Sequence, residues 1–191
     1  MKKLLFFGFL FCGMLVFSYQ SNAKTNAYKD STHGFSLEIP AGWQKEKDSI
    51  RPHYVTFYGP RDKSGSIPTF VITVIDKQAD FIAFVDAVIK ESQEKTKDYF
   101  VIKKTCTEKI RCEALATYSF DPKSIMLDTK NKKNGIGVDK LKTRQIFLNG
   151  KNKFYILSAV SLGLRFNQYE KDFKILLDSF KENTGFLDKY F

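Results

Sequence analysis

A chain of 191 residues with 43 % hydrophobic and 27 % charged residues can bury one ordinary core, which excludes a disordered polyelectrolyte. Lysine and arginine total 31 against 21 acidic residues, a formal net charge of +10, so such a surface favours anionic partners. Two histidines and three cysteines in all leave little material for a histidine- or cysteine-built metal centre.

Lys2 and Lys3 lead an apolar run from Leu4 to Phe17, and Ser21-Asn22-Ala23 then sets small residues at the −3 and −1 positions of a cleavage site. That is the anatomy of a secretory signal peptide over residues 1–23, with cleavage after Ala23 or, at a second small-residue site, after Ala27. Fourteen residues, broken by Gly8 and Gly13, fall short of the roughly 20 that span a bilayer. The expected product is an exported chain, periplasmic or extracellular, that begins near Lys24 and forms a single domain over 24–191.

Phe35, Leu37 and Ile39 alternate with Ser36 and Glu38, the pattern of a half-buried strand. Gly34 permits a tight turn into it, Pro40 ends its ladder, and Trp43 is placed to cover an open end of the core. Tyr54 to Tyr58 and the β-branched run Thr69 to Ile75 predict two more strands. Asp80 is a helix N-cap, followed by Phe81, Ile82, Val85, Val88 and Ile89 on one helical face.

Two hairpins follow. Phe100–Thr107 and Arg111–Phe120 flank a short turn and bring Cys106 opposite Cys112, within disulfide reach. In an oxidising compartment that pair is expected as a structural bridge, not a redox motif, because the spacing is not CxxC. Leu141–Leu148 and Lys153–Ser161 flank Asn149-Gly150, a type I′ turn signal. Phe166, Tyr169, Phe173, Leu176 and Phe180 recur at three and four, predicting a helix over Asn167–Lys181. The order predicts an α+β fold: an antiparallel sheet of six to seven strands between two helices, an α/β/α sandwich. Residues 121–140 form a long polar, basic insertion between the hairpins.

Catalytic signals are sparse. His33 and His53 lack ligand-spaced neighbours, no Gly-x-Ser-x-Gly elbow occurs, and Gly135-Ile136-Gly137 lacks the rest of a dinucleotide fingerprint. No cofactor, metal or catalytic residue is expected.

Charge carries the information instead. Residues 24–102 hold eleven of each sign and residues 154–191 five of each, whereas 103–153 hold thirteen basic against five acidic residues. Lys130, Lys132, Lys133, Lys142 and Arg144 are the candidate anion- or partner-binding residues of that segment.

"YKDSTHGFSLEIPAGWQ", from Tyr28 to Gln44, resembles the opening of the PsbP-like family, relatives of the extrinsic subunit of photosystem II: Gly-Phe, an alternating strand, then Pro-x-x-Trp. "NGKNKFYILSAVSLGLRFNQYEKDFKILLDSFK", from Asn149 to Lys181, is similar to the family's closing hairpin and helix, with its Asn-Gly-Lys turn, Tyr-x-Leu-x-Ala strand and terminal Asp-Ser-Phe. The resemblance implies a central antiparallel sheet between helices and a docking role without catalysis. The expectation is thus a non-catalytic accessory protein of the bacterial cell envelope. It docks through 103–153 to an envelope protein or an anionic membrane surface, as a monomer and without nucleic acid. The alternative is an envelope enzyme of the hydrolase class with an unrecognised pocket.

Overall fold

The computed structural model describes residues 25–47, 53–63, 65–119 and 140–183. The expected signal peptide, Lys130, Lys132 and Lys133, and the insertion up to residue 139 lie outside the described residues.

Seven strands form one antiparallel sheet in the order β3-β4-β5-β9-β8-β7-β6. They are β3 (Gln44–Lys45), β4 (Tyr54–Tyr58), β5 (Thr69–Asp76), β6 (Phe100–Thr107), β7 (Arg111–Tyr118), β8 (Leu141–Asn149) and β9 (Lys153–Leu162). Helix α1 (Phe81–Lys95) connects β5 to β6. Its cap is the predicted one: the Asp80 carboxylate accepts from Ile82 N at 2.9 Å and Ala83 N at 3.3 Å. That satisfies amides which have no partner inside the helix. Phe81, Val85 and Ile89 then pack on Cys112, Ala114, Phe147, Phe154 and Ile156, forming the core of one sheet face.

The other face differs from expectation. Phe35–Pro40 (β2) does not join the large sheet; it is the centre of a second, three-stranded sheet, between β1 (Thr25–Asp30) and β10 (Lys181–Glu182). The polar sequence of β1 shows no strand pattern, and only pairing with β2 over Thr25↔Pro40 to Asp30↔Phe35 makes it one. Phe35, Leu37 and Ile39 share a core with Phe57, Phe70, Ile72, Leu157 and the final helix. Each such buried side chain contributes about 1.5–3 kcal/mol of transfer free energy. The sandwich is therefore α1, the seven-stranded sheet, then a layer made of the small sheet and the final helix, α2 (Glu170–Asp178).

The final helix is shorter than its apolar stripe suggests. Gly163–Tyr169 is a 3-10 helix and α2 spans Glu170–Asp178. The tighter three-residue turn aligns Phe166 above Tyr169, both buried. Phe180 lies past α2, where the chain turns back into β10 and its ring meets Phe35 at 5.4 Å and Tyr155 at 5.1 Å. Trp43 closes this layer: its Nε1 donates to Asp172 Oδ2 at 3.0 Å and its ring meets Phe173 edge-on at 5.8 Å.

Asn149-Gly150 does not form the expected type I′ turn, for neither residue has positive φ. Four residues separate the paired Asn149 and Phe154. Glycine is needed at 150 for closeness: a Cβ there would stand 2.7 Å from Tyr155 Cε2 and 2.8 Å from the Glu182 carboxylate. The left-handed pair sits instead at Glu108 (φ 46°) and Lys109 (φ 52°), in the hairpin that Cys106 and Cys112 close. The two cysteines pair directly across β6 and β7, with Cα atoms 4.0 Å apart, and form a disulfide.

Candidate functional site

The two hairpins lie side by side, because β7 pairs with β8 from Arg111↔Leu148 to Tyr118↔Leu141. Alternation along the strands sends Cys112, Ala114, Ala116 and Thr143 to the α1 side, where all are buried. The opposite side receives Arg111, Glu113, Leu115 and Thr117 from β7 and Lys142 and Arg144 from β8. Farther along, the same face carries Ile146, Leu157 and Ala159 and is covered by β2 and α2. Over β6, β7 and the first half of β8 no described element covers it, and Glu113, Leu115, Thr117, Lys142 and Arg144 are only half-buried.

A register shift completes this open face. Val101 pairs with Ala116 and packs toward α1, whereas Lys103 pairs with Leu115, so Ile102 forms a bulge. By strict alternation Lys103, two residues on, would share the helix side with Val101; the bulge at Ile102 turns it to the open side. Lys104 goes the other way and ion-pairs with Asp86 on α1.

Cross-strand rows follow from the register. Phe100, Thr117, Lys142 and Ser161 make one; Lys103, Leu115, Arg144 and Ala159 the next; Thr105, Glu113, Ile146 and Leu157 the third. Arg144 Nε donates to Glu113 Oε1 at 2.8 Å. Lys142 Nζ sits 4.9 Å above the Phe166 ring, which fixes it at the border between open and covered sheet. Lys103, Thr105, Glu113 and Leu115 line a shallow hollow of about 180 Å³. Phe100, at the outer end of its row, is 63 % exposed, and Leu164, in the 3-10 segment Gly163–Tyr169 that follows β9, is 79 % exposed.

Of the predicted site residues, Lys142 and Arg144 thus come together on one face, two positions apart, while Lys130, Lys132 and Lys133 lie outside the described residues. Lys104 of the same segment lies on the other side, where it ion-pairs with Asp86 on α1. Phe100, Leu115 and Leu164 were not singled out by sequence, since none belongs to a charge pattern.

His33 is paired with a carboxylate: its Nδ1 lies 3.1 Å from Asp30 Oδ1, and Asp30 also accepts from His33 N at 2.9 Å and Tyr28 OH at 3.0 Å. Burial pushes the Asp30 carboxyl up, but these hydrogen bonds outweigh it and hold the group below the usual carboxylate range. The cluster ties the β1–β2 turn, where Gly34 (φ 73°) donates its amide to Asp30 O at 3.0 Å. Among the described residues no three His, Cys, Asp or Glu side chains gather to hold a metal ion.

The layered arrangement has solved counterparts. The Saccharomyces cerevisiae Ran-binding protein Mog1p matches with a TM-score of 0.57 and 7 % identity over 84 % of this chain and 96 % of its own. Cyanobacterial PsbP (CyanoP) of Synechocystis sp. PCC 6803 matches with a TM-score of 0.51 and 13 % identity over 90 % of this chain and 96 % of its own. LpqN of Mycobacterium tuberculosis, described as involved in cell envelope biogenesis, aligns with a TM-score of 0.48 and 11 % identity over 87 % of this chain and 88 % of its own. No protein-family model matches the sequence, and no curated protein sequence matches it. The likeness to CyanoP and Mog1p is one of fold, and at that level the PsbP-like resemblance of the opening and closing motifs holds.

Proposed function

We propose that this chain is an exported, non-catalytic accessory protein of the bacterial cell envelope that docks to an anionic partner through the basic segment 103–153. The observation that carries this reading is the joining of both basic hairpins into one continuous sheet edge, β6-β7-β8. Cations that are scattered in sequence there share a surface, and a shared surface steers an anionic partner over about a Debye length. Support also comes from the fold, since one protein with the same architecture, Mog1p, is named for binding another protein. The leader Lys2–Ala23 supports export.

The test is binding of the mature protein to envelope membranes across a salt series. Affinity falls as ionic strength rises from about 0.05 to 0.5 M, because exposed charges are screened. Lys130→Gln, Lys132→Gln and Lys133→Gln together weaken binding further and leave the thermal midpoint unchanged. Binding at low salt that is as tight in the triple variant as in the parent overturns the role of that cluster.

A further inference from the structure

We propose that the docking surface is the open face of β6, β7 and β8, and that its occupant is an acidic protein surface. This rests on the reading of the chain as a docking protein and narrows it to one face and one partner chemistry. Among the described residues, Lys103, Arg111, Lys142 and Arg144 lie on that face against a single carboxylate, Glu113, which Arg144 already holds at 2.8 Å. Positive charge is therefore in excess where the sheet is uncovered, and a second copy of the chain would be repelled.

The apolar groups decide between a protein and a bilayer. Phe100, 63 % exposed, stands at the outer end of a row across β6, β7, β8 and β9 that spans about 14 Å at normal strand spacing. Leu115, in the next row, lies in the wall of the hollow with Lys103, Thr105 and Glu113. Aromatic and aliphatic anchors around a recess, rimmed by charge, are the anatomy of a protein interface. An anionic bilayer would satisfy the cations but has no protruding side chain to fill the recess lined by Lys103, Thr105, Glu113 and Leu115. A protein brings acidic side chains for Lys103 and Lys142, donors for Glu113, and one protruding side chain for a hollow of about 180 Å³.

The test uses the mature chain with two probes: a synthetic peptide of alternating Glu and Leu, and vesicles of equal phosphatidylcholine and phosphatidylglycerol. The peptide binds saturably at low salt. Lys103→Glu with Lys142→Glu weakens it at least about tenfold, while Lys90→Glu with Lys174→Glu on the two helices changes it less than about twofold. Phe100→Ser, which leaves charge and core untouched, also weakens it at least about fivefold. Equal loss from both charge-reversal pairs, no saturable peptide binding, or vesicle binding that alone responds to Lys103→Glu with Lys142→Glu overturns the proposal. If membrane binding is lost in the Lys130, Lys132 and Lys133 variant yet the face variants bind like the parent, the docking role stands and only the face is wrong.

Discussion

Asn149, at the end of β8, holds the tip of the neighbouring hairpin by donating its Nδ2 to the Lys109 carbonyl at 2.8 Å. Its backbone amide donates to Ile110 O, also at 2.8 Å. The turn needs this support because Glu108 and Lys109 both take left-handed backbone angles, which cost an L-residue on the order of 1–2 kcal/mol each.

Two substitutions separate the support from the strain. Asn149→Ala removes the side-chain bond to a turn carbonyl and lowers stability by about 1 kcal/mol, the usual net worth of such a bond. Lys109→Gly relieves one left-handed residue and raises stability by up to about 1 kcal/mol. Urea denaturation with an unchanged slope reads both; a destabilised Lys109→Gly variant would show that the turn is not strained.

The disulfide acts on the same hairpin. Cys106 and Cys112 are six residues apart, and closing so small a loop contributes roughly 2–2.5 kcal/mol in the chain-entropy model. Intact mass should rise by two hydrogens on reduction, and the reduced protein should unfold at lower denaturant by that increment. Free thiols in protein secreted under oxidising conditions would remove the structural role.

The helix α1, its Asp80 cap, strand β5 and the cysteine hairpin were legible in the sequence because each depends on neighbours close along the chain. Strand β1 was not, since Thr25, Asn26 and Lys29 carry no strand pattern and only the distant β2 ladder orders them. The same holds for β10, two residues long. At the site, Lys142 and Arg144 were foreseeable as two positions of one strand. Lys103 reaches their face only through the bulge at Ile102, and no residue pattern marks a bulge. The 3-10 segment Gly163–Tyr169 was not foreseen either, because the apolar spacing from Phe166 onward fits an α-helix as well.

The layer of β2 and α2 makes graded predictions for truncation. Phe173 is fully buried against Trp43, Phe166 and Tyr169, so Phe173→Ala costs about 3–5 kcal/mol. Phe180 is only partly buried, so Phe180→Ala costs less. Leu164→Ala, at an exposed site, stays within about 0.5 kcal/mol. Chemical denaturation ranks the three; a cost for Leu164 approaching that of Phe173 would mean that Leu164 is covered.

The Asp30 cluster sets a pH dependence whose sign is fixed by its hydrogen bonds. Tyr28 OH and both His33 donors favour the carboxylate over the acid, so the folded-state pKa lies below the ordinary value of 3.8 despite burial. A depressed carboxyl pKa contributes stability that is fully present above the unfolded value and is lost as pH falls through the folded one. The loss therefore belongs to the range beginning near pH 3.8 and extending downward. Asp30→Asn keeps the shape, cannot titrate, and leaves one donor of the cluster facing an amide. The variant should be less stable than the parent at neutral pH, and the gap should close on acidification below that range. A gap that stays constant from neutral to acid pH would show that the carboxylate form is not what the β1–β2 turn requires.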